Sequence, residues 1–222
     1  MDKTSFHFDS NNTFCITLLS NTTRHEKMLR KFDCLNLDVT MWPASTPDTL
    51  TDNFVNNLHN LQKACAQSHW NIWKYIINNN IEYALILEDD ACFDKFFFTK
   101  LNKFHEEIND PEWDGIFLNA SEEINHVDQW RLINEQYLTG GYILSIRGAM
   151  KLIQMYDGHI HVSDWMTSRL QLFNHCYSYF PWLIIQEGNE TTIQSDVSED
   201  HKKVIRLLGE INYSLENYDI NL

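Results

Sequence analysis

Apolar and polar positions follow two periods along this chain, and the switches between them mark its elements. Phe14-Cys15-Ile16-Thr17-Leu18-Leu19 is a short apolar run rich in strand formers, closed by the polar turn Ser20-Asn21-Thr22-Thr23. From Arg24 the spacing becomes helical, with Met28, Leu29 and Phe32 on one face and Thr22 or Thr23 as the expected N-cap. A second strand is expected over Leu37–Trp42, cut off by Pro43 and Pro47. After a polar loop over 43–57, the period of Leu61, Ala64, Cys65, His69, Ile72, Trp73 and Ile76 predicts a helix from Leu58 to Ile77.

The next apolar run, Ala84-Leu85-Ile86-Leu87, is too short to span a membrane and the right length for a buried central strand. It stops abruptly at three acids, Glu88, Asp89 and Asp90. Helix is expected over Asp94–Ile108, strand over 113–119, a loop through Arg131, and a strand containing Gly140-Gly141 over Tyr137–Ile146. Helix follows from Arg147 to Tyr156, then a short helix after His161-Val162-Ser163-Asp164, a strand over Cys176–Gln186 and a last helix over Lys202–Leu215. Strands alternating with helices predict a mainly parallel sheet covered on both faces. At 222 residues, with no repeat or linker, one α/β domain spanning 1–222 is expected.

Carboxylates crowded at a strand end repel one another unless a divalent cation or a cationic ligand group sits among them. Ligands of open α/β sheets bind beyond the strand carboxyl ends, so the acids read as a metal-binding strand end; the competing reading is a polar turn. A net charge of −14 without a basic stripe argues against a nucleic-acid partner. It also means that a phosphate-bearing substrate needs a cation to carry its charge. Five cysteines, odd in number and without a C-x-x-C pair, argue against a structural zinc site or a redox dithiol. Cys15, Cys65 and Cys92 are expected to be buried thiols. With no signal-peptide pattern and no transmembrane segment, a cytoplasmic, reducing compartment is expected.

The residues resemble glycosyltransferase family 25, the lipooligosaccharide and procollagen galactosyltransferase group. The resemblance is carried in order by Ile16-Thr17-Leu18 with Arg24 and Met28; Ala66-Gln67-Ser68-His69-Trp70 with Ile72-Trp73; the Ala84–Asp90 strand; Trp113-Asp114; Thr139-Gly140-Gly141-Tyr142-Ile143-Leu144-Ser145; and Val162-Ser163-Asp164-Trp165. Together these span roughly residues 14–195, most of the chain. The resemblance implies a GT-A-like, Rossmann-type fold and a role in lipopolysaccharide or other glycan biosynthesis. It also implies a UDP-hexose donor (galactose or glucose), a glycan or collagen-like hydroxyl acceptor, and a divalent cation, Mn²⁺ with Mg²⁺ as the alternative.

On that basis Glu88 and Asp90, on one side of an extended strand end, are the expected metal ligands, with Asp90 first and Glu88 alternatively fixing the ribose or an ordered metal water. Asp89, facing the other way, anchors the loop or touches the donor. Thr17, Leu18 and Ser20 lie where the uridine is expected. Arg24 reads as a partner of the diphosphate, of the acids, or as a surface charge. Ser68 and His69 are donor-side candidates, His69 reading either as a packed core residue or as the group that orients an acid. Gly140 and Gly141 permit close approach of backbone to a ligand, or mark a bulge. Asp164 is the expected general base of an inverting transfer, or a helix cap. Two other functions stay open: a metal hydrolase centred on His159, His161 and Asp164, and a non-catalytic nucleotide-sugar-binding domain.

Overall fold

The computed structural model describes residues 5–119, 127–187 and 199–222. In chain order the strands and α-helices are β1 (Thr13–Thr17), α1 (Thr22–Leu35), β2 (Thr40–Pro43), α2 (Asn60–Asn78), β3 (Tyr83–Glu88), β4 (Ala91–Phe93), α3 (Phe97–Asn102) and α4 (Phe104–Glu107). They continue with β5 (Gly115–Phe117), β6 (Gln129–Leu132), β7 (Gly141–Ser145), α5 (Ile146–Tyr156), α6 (Ser163–Leu170), β8 (Cys176–Phe180), β9 (Ile184–Gln186) and α7 (Glu199–Glu210).

Seven strands form one sheet in the order β2-β1-β3-β7-β5-β8-β6. The registers run β1, β2, β3, β5 and β8 one way and β7 and β6 the other, so the sheet is mixed with most strands parallel, as the alternating pattern predicts. β3 is interior, parallel to β1 and antiparallel to β7, and Leu85, Ile86 and Leu87 are wholly buried. Its even residues face one core with α2 and α5, where Trp70, Trp73, Leu152 and Ile86 pack. Its odd residues face a second core containing Met28, Phe32, Phe97 and Leu85. Burial on both faces is why this strand reads as an unbroken apolar run.

Local expectations need five corrections. The N-cap of α1 is Asn21, whose Oδ1 accepts from the Arg24 amide at 3.2 Å, in place of Thr22 or Thr23, which are already helical. β2 begins later than expected and runs into Pro43, which an edge strand tolerates because its missing N–H faces no partner. The helix expected over 94–108 is two short helices preceded by β4, because the Asp94 carboxylate is committed to the Phe96 amide and to Lys100. The strand expected over 176–186 is split at the cis Phe180–Pro181 peptide: β8 stays in the main sheet, whereas β9 leaves it and pairs with β4. The end of the expected loop, residues 129–131, forms with Leu132 the edge strand β6.

The β4–β9 ribbon positions the site, since its register sets Ala91 opposite Gln186 and the Glu187 amide donates to the Asp90 carbonyl at 2.9 Å. Behind it, the wholly buried Lys31 donates to the Ala91 carbonyl at 2.8 Å and lies 3.5 Å from Asp219. The turn that carries the acids is thereby tied down from both sides.

Gly140 and Gly141 are required by this ribbon. A Cβ on Gly141 would stand 2.5 Å from Ile184 Cδ1, and one on Gly140 would stand 2.6 Å from Gln186 Cγ. Gly141→Ala should therefore cost about 1–3 kcal/mol of stability, the usual scale for overpacking a core, in urea unfolding. A midpoint unchanged from wild type would show that β9 can retreat without loss.

Candidate functional site

The ends of β1 and β3, the start of α2 and the start of α6 surround a cavity of about 600 Å³. Its wall includes Thr17, Leu18, Arg24, Ser68, His69, Glu88, Asp89, Asp90 and Asp164. Of the residues expected at the donor side, Ser20 is an exposed turn residue outside that wall, and Gly140 and Gly141 sit behind it against β9.

The acids alternate as an extended strand requires. Asp89 turns toward β1 and α1, where its Oδ1 accepts from Arg24 Nη1 at 2.8 Å and its Oδ2 from Thr17 Oγ1 at 3.0 Å. Of the three readings of Arg24, the structure thus displays its pairing with an acid. Glu88 and Asp90 turn together to the other side. Gln186 Nε2 lies 3.3 Å from Glu88 Oε2 and 3.3 and 3.4 Å from the two Asp90 oxygens. An amide nitrogen, with only two hydrogens, is here shared by two carboxylates. It marks a point on which their oxygens converge, and an all-oxygen set of this kind suits a hard divalent cation.

Glu88 is held by its neighbours. His69, wholly buried on α2, places Nε2 3.1 Å from Glu88 Oε1, and Thr139 Oγ1 donates to the same oxygen at 3.0 Å. On the far side, His69 Nδ1 is 2.9 Å from the Tyr142 hydroxyl, which also receives the Trp73 indole N–H at 2.9 Å. Indole nitrogen only donates, and burial keeps the Tyr142 hydroxyl protonated. In the tautomer where Tyr142 gives its single hydrogen to His69 Nδ1, the ring proton sits on Nε2 and is donated to Glu88. The two readings of His69 prove compatible: it is a packed core residue and it orients an acid.

Burial would raise the Glu88 carboxyl, but His69, the hydrogen bond from Thr139 and the charge of Arg24 outweigh it and hold the group below its usual range. Asp90 lacks that support. Burial and the neighbouring Glu88 charge push it from 3.8 up to about 7. A carboxyl raised in the folded state contributes stability that is full below its unfolded value and is lost as pH rises through the folded one. The metal-free protein should therefore lose stability on Asp90's account between about pH 5 and about pH 8. Thermal unfolding in EDTA across that window should show the slope, and Asp90→Asn should flatten it. An equal slope in the variant would place the titration elsewhere.

Asp164 is not the N-cap of α6; that position is Val162. It lies in the first turn, on the cavity wall, and its Oδ1 accepts from the Trp165 amide at 2.6 Å. The hydrolase arrangement does not assemble. His159 is exposed beside the Asp157 carbonyl, and His161 Nδ1 accepts from the Val162 amide. Among the described residues, the group of three or more side chains close enough to share a metal is Cys65, His69 and Glu88. Cys65 is half-buried on the cavity wall, more open than expected, while Cys15 and Cys92 are buried.

Several participants escape the sequence reading. Gln186 looked like the polar end of a strand, and Thr139 and Tyr142 entered only as members of the Thr-Gly-Gly-Tyr run. Ser68 was singled out, but its hydroxyl serves the wall itself, accepting from the Ser45 amide at 2.9 Å and donating to the Ala64 carbonyl. No helix among the described residues is long and apolar enough to cross a membrane.

Comparison with known proteins agrees with the geometry. Residues 10–129 match the profile of glycosyltransferase family 25, described as LPS biosynthesis proteins. A procollagen galactosyltransferase 1-B of Xenopus laevis is 30% identical over 179 residues, which are 68% of this chain and 29% of that protein. A glycosyltransferase 25 family member of Anopheles gambiae is 28% identical over 169 residues, 64% of this chain and 28% of the relative. Human procollagen galactosyltransferase 2 is 29% identical over 99 residues, 40% of this chain and 16% of its own length. The chain thus spans less than a third of the length of these relatives. The matched profile covers more than half of the chain and includes β1, α2 and the acids at the end of β3. On this match, the chain belongs to glycosyltransferase family 25.

Proposed function

We propose that this chain transfers a hexose, galactose or glucose, from a UDP-sugar to a hydroxyl of a glycan or collagen-like acceptor, with inversion, and that it needs a divalent cation, Mn²⁺ or Mg²⁺. The observation that carries the reading is the convergence of Glu88 and Asp90 on one point, in a cavity that also holds Asp164, within a family 25 chain. The names of its relatives favour galactose and a collagen-like acceptor. We place the whole reaction in one domain over 1–222.

In this reading Glu88 and Asp90 hold the cation, which when bound supplies Lewis-acid neutralisation of the departing diphosphate. His69 and Thr139 keep the Glu88 carboxylate in one orientation, so it does not reorganise as charge develops. Asp89, fixed by Arg24 and Thr17, forms the donor wall together with Leu18, while Ser68 holds the Ser45 loop against α2. The Asp164 carboxylate takes the acceptor hydroxyl proton as that oxygen forms its bond to sugar C1 and the bond from C1 to the UDP oxygen breaks. Exclusion of water by the half-enclosed cavity favours the acceptor over hydrolysis.

A panel of UDP-sugars with Mn²⁺, read as UDP release with and without acceptor, tests the proposal. One donor should release UDP several-fold faster with a hydroxyl acceptor present. UDP binding without release from any donor would favour a non-catalytic binding domain.

A further inference from the structure

The cavity wall carries a second group of metal-competent atoms. Cys65 and His69 stand four residues apart on α2, which places them on one face. Cys65 Sγ, a His69 nitrogen and a Glu88 oxygen lie within 4.8 Å of one another, and the His69 Nε2 to Glu88 Oε1 separation is 3.1 Å. Around a tetrahedral zinc ion, with bonds of about 2.0–2.3 Å, ligand atoms stand roughly 3.3–3.8 Å apart. Separations within 4.8 Å need to close by at most about an ångström to reach that geometry, and Cys65 is half-buried.

A thiol, an imidazole and a single carboxylate are the donors of a borderline-soft ion, whereas the Glu88–Asp90 pair offers only hard oxygens. Cys65 and Glu88 both face the cavity, so a fourth ligand has access. The far nitrogen of His69 already meets the Tyr142 oxygen at 2.9 Å, the kind of outer partner that a metal-binding histidine uses. We propose that Cys65, His69 and Glu88 form an inhibitory site for a thiophilic divalent ion such as Zn²⁺, which takes Glu88 away from the donor cation. The inhibition rests on the donor-site reading above; the binding does not.

The protons balance simply. The zinc–sulfur bond forms as the Cys65 thiol releases its proton to solvent. The His69 proton passes from Nε2 to Nδ1, where the Tyr142 oxygen accepts it, and Nε2 is freed for the metal. One proton is released in all. The Tyr142 hydrogen loses its acceptor, a penalty that makes this site weaker than a dedicated structural zinc centre and so reversible.

The test is Co²⁺ titration of the full chain in a phosphine reductant. Wild type should develop a thiolate-to-cobalt charge-transfer band in the near ultraviolet, and Zn²⁺ should erase it. The band should vanish in Cys65→Ser and Cys65→Ala, checked as folded by circular dichroism, and persist in Asp90→Asn and Cys34→Ser. A wild type without the band, or a band that survives both Cys65 variants, overturns the site. For inhibition, Zn²⁺ should weaken Mn²⁺-supported UDP binding in wild type, and Cys65→Ser should be less sensitive by about ten- to a hundredfold. Equal sensitivity overturns the inhibitory role. The cobalt spectrum uses neither donor nor acceptor, so it decides the metal site even if the chain transfers no sugar.

Discussion

Asp90→Asn should abolish the dependence of UDP binding on Mn²⁺ and lower sugar transfer by at least about a hundredfold, a loss of several kcal/mol of Lewis-acid stabilisation. Asn keeps the size of Asp90 and an oxygen for the Gln186 amide, but it carries no charge for a cation. The same substitution removes the buried charge and its repulsion with Glu88, which together push Asp90 up to about 7. The variant should therefore be no less stable than wild type without metal, and more stable near pH 8. A protein that is firmer but unable to use its cation cannot be explained by misfolding. Asp89→Asn should show the reverse pattern. It weakens the Arg24 and Thr17 contacts and so costs stability while leaving a Mn²⁺ response. Calorimetry of UDP binding in Mn²⁺ and in EDTA separates the two. An undiminished Mn²⁺ gain in Asp90→Asn would sink the metal-pair assignment.

Asp164→Asn should leave UDP affinity intact and reduce transfer by about two to four orders of magnitude, the usual scale for losing a general base. Asp164 lies outside the convergence of Glu88, Asp90 and Gln186, so the donor side should not register the change. One of its structural contacts is the Trp165 amide at the start of α6, and the Asn oxygen accepts that bond as well. Stability should accordingly survive. Paired measurement of UDP affinity and transfer rate is the check. Near-wild-type transfer would remove Asp164 from the chemistry. Of the acids that follow the last strand and could then take its place, Glu187 is a poor substitute, being paired with Lys27 at 2.5 Å, and Asp196 lies outside the described residues.

What could be read from the chain and what could not divides along the range of the forces involved. The buried strand over 84–88 was visible because burial on both faces demands an apolar residue at every position. Its alternation then placed Glu88 and Asp90 on one side and Asp89 on the other, a consequence of pleating alone. The helix bearing Ser68 and His69 followed from a 3.6 period sustained over nearly twenty residues. The N-cap of α1 was missed by one residue because Asn, Thr and Thr are comparably good caps and only the entry angle of β1 chooses among them.

The sequence by itself determined the mixed α/β layering, the acidic strand end, the sidedness of its three carboxylates and family membership, since these depend on residue order over one element at a time. Tertiary structure alone decided what those carboxylates meet. Gln186 reaches the acids only because the chain breaks after β8 and β9 pairs with β4. Thr139 and Tyr142 matter because β7 lies antiparallel to β3, and His69 faces Glu88 because α2 packs across that pair. Whether His159, His161 and Asp164 converge was likewise undecidable from spacing, and in the folded chain they do not come close enough to share a metal. These contacts join residues far apart in sequence, and their energies depend on burial and on the geometry of several partners at once, which no local periodicity encodes.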